Sequence, residues 1–123
     1  MGQKQILTRT RIVKAQGHEK THFLNPRGRR ITKPLGDLIG MQYFRFYPTT
    51  FPVGLVASEF YRHVCAEECG HIIAGNGTAR IGLGMFEVEA GDFIAYPANG
   101  EAHDLRNTGS SPMTFIVVGQ CLD

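Results

Sequence analysis

From Met41 onward the apolar residues come in short runs, broken at regular intervals by Gly, Pro, Asn or Asp. MQYFRFY (41–47), GLVASEFY (54–61), GHIIA (70–74), TARIGL (78–83), MFEVE (85–89), DFIAYP (92–97), AHDLRN (102–107) and MTFIVVGQ (113–120) each read as a β-strand. Between them lie Pro48, Pro52, Gly75-Asn76-Gly77, Gly82 to Gly84, Ala90-Gly91-Asp92, Asn99-Gly100 and Thr108 to Pro112. These residues supply the positive or fixed φ that tight turns need. No segment sustains a 3.6-residue apolar period. Many short strands with frequent turn signals predict an all-β sandwich or barrel.

The first 36 residues look different. Gly17, Asn25-Pro26, Gly28 and Pro34 interrupt them, and one stretch alternates, with Ile6, Thr8, Thr10 and Ile12 against Leu7, Arg9, Arg11 and Val13. The expected division is an N-terminal arm over 1–36 with one strand, Ile6 to Val13, and a β-barrel over 37–123. The arm's strand is expected to add to a sheet edge, its own or a second subunit's, which would cover an exposed edge. A homodimer is the expected assembly. The aromatic set Tyr43, Phe44, Phe46, Tyr47, Phe51 and Phe60 is expected in the core and the pocket lining.

Charge sharpens that division. Residues 1–33 carry nine Lys/Arg and one acid, a net +8; residues 34–123 carry four bases and ten acids, a net −6. The arm is expected to lie against the acidic body, its own or a partner's. A nucleic-acid partner is not expected, because no helix-turn-helix, zinc finger or aromatic-basic RNA motif accompanies the charge. At 123 residues, 42% of them hydrophobic, the chain is one domain with a real core. No apolar run approaches the roughly 20 residues of a membrane-spanning helix. MGQKQILTRTRIVK has no apolar block or cleavage site of a secretion signal, so a cytoplasmic location is expected. Three cysteines, Cys65, Cys69 and Cys121, are an odd number and read as reduced thiols.

Strand alternation places Tyr61 and His63 on one face. In the next strand Glu68, Gly70 and Ile72 share a face, with Cys69, His71 and Ile73 on the other. His103 opens a later strand, with Leu105 and Asn107 on its side. Two imidazoles and a carboxylate are ligands suited to Fe, Mn, Ni or Zn. The competing reading makes His63 and His103 interior histidines satisfied by Glu68. A one-residue slip would exchange Glu68 for Glu67. Cys65-x3-Cys69-x-His71 lacks a fourth ligand and the spacing of structural zinc sites.

Two spacings are specific. Tyr61-x-His63-x4-Glu68-x6-Gly75 follows H-x-H-x(3,4)-E-x6-G except at its first position. Gly91-x5-Pro97-Ala-Asn-Gly100-x2-His103-x3-Asn107 follows G-x5-P-x-G-x2-H-x3-N with one extra residue before Gly100. In this order and distance the pair resembles the cupin superfamily over residues 41–120. HFLNPRGRR, PLGDLIGM, EECGHIIAGNGTARIG and GDFIAYPANGEAHDLRNTG are similar to small single-domain bacterial cupins, which read H-R-H where this chain reads Tyr61-Arg62-His63.

The resemblance implies a jelly-roll, double-stranded β-helix barrel with a pocket for a small polar molecule, sugar- or carboxylate-like. It implies a divalent metal (Fe, Mn, Ni or Zn) on His63, Glu68 and His103, with Tyr61 as a fourth ligand or a contact to the bound molecule. If the chain is an enzyme, oxygenase or isomerase chemistry is expected. The alternatives are a metal-free binding or sensing module and, more weakly, a nucleic-acid accessory protein acting through the arm.

Overall fold

A computed structural model describes residues 5–14, 18–22, 25–57 and 66–120. Two short helices, α1 (Arg9–Lys14) and α2 (Leu35–Leu38), accompany nine strands. These are β1 (His18–His22), β2 (Asn25–Thr32), β3 (Phe44–Phe51), β4 (Glu68–Ala74), β5 (Asn76–Ile81), β6 (Gly84–Glu89), β7 (Phe93–Tyr96), β8 (His103–Arg106) and β9 (Met113–Gln120). They form a six-stranded sheet in the order β1-β2-β3-β9-β4-β7 and a three-stranded sheet in the order β6-β5-β8. Every pairing is antiparallel. The last strand inserts between β3 and β4, and the chain passes from one sheet to the other between β4 and β5, β6 and β7, β7 and β8, and β8 and β9. This is the expected all-β jelly roll.

Both sheets contribute to one core. Phe51, Ile72, Met113, Phe115 and Ile94 come from the large sheet, and Ala79 and Leu105 from the small one. Phe51 and Phe115 meet edge to face with centroids 5.8 Å apart. Burying each such side chain contributes roughly 1.5–3 kcal/mol. Strand β5 comes close to both β8 and β9. A Cβ on Gly77 would run into the Arg106 carbonyl oxygen and the Met113 methyl, so only glycine fits there. Gly75, at φ 89°, makes the turn from β4 to β5.

One fully buried polar side chain ties the layers together. Asn107, just past β8, donates through Nδ2 to the carbonyls of Phe51 (3.2 Å) and Ser111 (2.9 Å), and its Oδ1 accepts from the Gly109 amide (3.1 Å). The asparagine that closes the second sequence motif therefore locks the end of the small sheet onto β3 and the loop leading to β9.

Three expectations are corrected. The stretch Ile6 to Val13 is not a strand; from Arg9 onward it is part of α1, which runs to Lys14. Thr8 starts this helix, its Oγ1 accepting from the Arg11 amide (3.3 Å) and its carbonyl from the Ile12 amide (2.9 Å). The edge of β3 is already taken, because β2 pairs with it through Ile31–Thr50 and Thr32–Thr49. β3 has no open edge to offer, and the Thr8 cap favours a helix instead.

Pro48, expected as a break, sits inside β3 opposite Ile116. Its carbonyl faces the β2 side, where it accepts from the Lys33 amide at 3.0 Å, and the β2 ladder ends at Thr49. The missing N–H thus falls where no strand asks for it.

The aromatic set divides. Phe51 is core, whereas Tyr43, Phe44 and Phe46 are exposed; Tyr47 is half-buried and its hydroxyl donates to Asp37 Oδ2 at 2.9 Å. Phe60 lies outside the described residues.

Candidate functional site

Glu68 begins β4 on the inward-facing side of the large sheet, two residues before buried Gly70 and four before buried Ile72. The register question is thereby answered: Glu68 faces inward, and Glu67 is exposed, with its amide donating to Gln120 Oε1. Across the sheet Glu68 is flanked by Gly119 of β9 and Tyr96 of β7. Gly119 leaves room for it, since a Cβ there would lie 3.4 Å from Glu68 Cγ.

His103 begins β8 in the opposite sheet, paired with Ile81. The turn that delivers it runs from Pro97 to Gly100, closed by the Gly100 amide donating to the Pro97 carbonyl, with Asn99 at φ 54°. His103 is buried, and its Nε2 lies 3.9 Å from Glu68 Oε1. Its Nδ1 lies 3.4 Å from the Glu101 carbonyl. An imidazole and a carboxylate separated by 35 positions in sequence therefore converge from two different sheets.

Tyr96 is the residue that sequence reasoning missed. Its ring stacks on the His103 imidazole, centroids 3.6 Å apart and planes within 10°. Burial raises its phenol pKa, and the charges of Glu68 and Asp104 raise it further. It stays protonated at any ordinary pH. The one sequence cue was an aromatic directly before Pro97, on the strand neighbouring Glu68. Asp104, the next residue along β8, faces the other way and pairs with Arg80 at 2.7 Å.

Tyr61, His63 and Cys65 lie outside the described residues. Cys69 and His71 occupy the outward side of β4, as expected. Burial raises the Cys69 thiol pKa, and the nearby Glu68 charge adds to the shift. Among the described residues no group of three or more His, Cys, Asp or Glu gathers to hold a metal.

The two described donors do fit one. Ligands of a tetrahedral ion about 2.0–2.1 Å away lie roughly 3.4 Å apart. The observed 3.9 Å asks for a contraction of about half an ångström.

A sequence profile of the cupin domain matches residues 49–119. The chain belongs to the cupin family. Among solved structures, this cupin is similar over 100% of its length to a protein from Acidithiobacillus ferrooxidans provisionally named a sugar phosphate isomerase. Sequence identity is 31%, the match covers 79% of that protein, and the TM-score is 0.94. A cupin-superfamily sugar phosphate isomerase from Silicibacter pomeroyi aligns at 26% identity over 94% of this chain and 74% of its own, with TM-score 0.78. A Thermotoga maritima protein named a predicted oxalate decarboxylase shares the fold at TM-score 0.75 and 19% identity, over 95% of this chain and 100% of that one. No curated protein sequence matches this cupin. No helix among the described residues is long and apolar enough to cross a membrane.

Proposed function

We propose that this cupin binds a sugar phosphate in its barrel and isomerises it around a divalent metal held by His63, Glu68 and His103. The observation that carries the reading is the convergence of Glu68 and His103 from opposite sheets at 3.9 Å. The two similar structures at 31% and 26% identity, both named sugar phosphate isomerases, support the substrate class. When bound, the metal supplies a Lewis acid for the sugar's carbonyl and hydroxyl oxygens.

The chain's own residues do the rest. Glu68 contributes negative charge and His103 a neutral nitrogen, and the stacked Tyr96 ring fixes the plane in which that nitrogen points. Tyr61, standing where a first histidine is usual, offers a hydroxyl to a sugar oxygen. Arg45 shares the cross-strand row of Gly119 and Glu68, but its Nη2 already donates to the Gln120 carbonyl, so it braces the end of β9 beside the site.

The test uses untagged protein. Elemental analysis and aldose–ketose interconversion are measured for wild type and His103→Ala, with a panel of sugar phosphates and added Fe, Mn, Ni or Zn. Metal near one equivalent, lost in the variant, together with interconversion supports the reading. Wild-type protein that binds no metal, yet gains thermal stability with a sugar phosphate, would replace the enzyme by a metal-free binding module.

A further inference from the structure

Three strands from both sheets bring Tyr96, Glu68 and His103 together. Tyr96 on β7 is the register partner of Glu68 on β4, and its ring lies flat against the His103 imidazole of β8. The residue as a whole is only 9% exposed. A buried tyrosine normally finds a partner for its O–H, because a polar group left unpaired away from water is costly. Among the described residues the Tyr96 hydroxyl has none. Nor does it belong to the unpartnered polar atoms that are sealed away from solvent. The hydroxyl therefore looks onto open space beside the other two side chains.

Those neighbours are of the opposite kind. Glu68 is a carboxylate and accepts. His103 holds Nδ1 toward the Glu101 carbonyl at 3.4 Å, which favours the proton on that nitrogen and leaves Nε2 as an acceptor or ligand atom. Tyr96 is the donor of the trio.

We propose that the Tyr96 hydroxyl is a substrate contact, donating a hydrogen bond to an uncharged oxygen, carbonyl or hydroxyl, of the sugar bound beside Glu68 and His103. This rests on the sugar phosphate reading above. The ring holds the imidazole plane and the hydroxyl holds the ligand, so one residue does two separable jobs. Charge argues for an uncharged oxygen rather than for the phosphate group. Glu68 stands directly across the ladder from Tyr96, and a phosphate dianion at the hydroxyl would meet its negative charge.

Tyr96→Phe separates the two jobs, because it keeps the ring and removes only the oxygen. Isothermal titration of the full chain with ribose 5-phosphate and with fructose 6-phosphate, with and without added Zn, gives the Kd. Inorganic phosphate is a further probe. Tyr43→Phe, at a tyrosine 79% exposed, is the control and should bind like wild type. Tyr96→Phe is expected to raise the Kd for a sugar phosphate by about 5- to 10-fold, the worth of one uncharged hydrogen bond. Any affinity for inorganic phosphate should not change. Carbon-13 labelling at tyrosine Cζ gives four signals, one for each tyrosine. The signal absent from Tyr96→Phe is that of Tyr96, and in wild type it should shift when the sugar phosphate is added. His103 ring protons that stay upfield in Tyr96→Phe verify that the stack survives.

A sugar phosphate held equally tightly by wild type and Tyr96→Phe, with the Tyr96 signal unmoved, overturns this proposal and leaves the functional one standing. A loss that appears equally with inorganic phosphate also overturns it, by placing the phosphate group at the hydroxyl. If neither sugar phosphate binds wild type, the functional reading falls and this one falls with it. If the stack is lost in Tyr96→Phe, the shift of the Tyr96 signal in wild type carries the test.

Discussion

Replacing Asn107 by alanine removes three hydrogen bonds at a position with no solvent exposure. Each such bond contributes about 1 kcal/mol net, and the carbonyls of Phe51 and Ser111 and the amide of Gly109 then lose their partner in a dry environment. The vacated volume adds a smaller cavity term. We expect a loss of about 3 kcal/mol, with about 2 as the floor if water enters to bridge the orphaned groups. For a chain of this size that is a fall in Tm of roughly 12 °C. Asn107→Asp should be no better. It keeps an acceptor for the Gly109 amide but turns a carboxylate toward two carbonyl oxygens. Urea unfolding followed by circular dichroism gives the number directly. If both variants lose less than 1 kcal/mol, the side chain is not what joins the sheets at this end.

Tyr96→Phe should keep the stack and leave the His103 ring-proton resonances shifted upfield. Tyr96→Leu should release them and cost about 0.5–1.5 kcal/mol beyond lost burial, seen by NMR and thermal unfolding. Gly77→Val should prevent stable folding or cost more than about 3 kcal/mol, since backbone lies where the side chain must go, and proteolysis of the expressed protein would report it. Iodoacetamide should modify Cys69 more slowly than a free thiol at pH 8, and its rate should keep climbing at pH values where a free thiol has levelled off, because burial and the Glu68 charge both hold the thiol protonated.

From β3 onward the strands could be read in the sequence because two independent signals agreed there, except that GLVASEFY, in its described residues 54–57, forms no strand and makes only a single bridge from Val56 to Arg106. Apolar alternation marked the strands, and turn residues with a required φ marked their ends, as at Gly75 and Gly91. Glu68 and His103 were legible because the motif spacing encodes a topology, bringing the first residues of β4 and β8 together at one end of the barrel. The arm misled, since alternation in Ile6 to Val13 says nothing about whether a sheet edge is open to receive it. Phe44 and Phe46 misled for a related reason. Hydrophobicity places a residue out of water, but it does not say whether its own core or another surface provides the cover. Tyr96 was invisible because a ring stack between strands of different sheets leaves no periodic trace.

The β1–β2 hairpin gives the large sheet an end. β1 is the outermost strand on that side, with the sequence HEKTH, and its neighbour β2 carries Arg27, Arg29 and Arg30. The opposite margin, β7, is only four residues long. A margin this short gives a further strand little to pair with. Growth of ordered fibrils from that margin should therefore be slow, and a dye specific for cross-β order should stay dark.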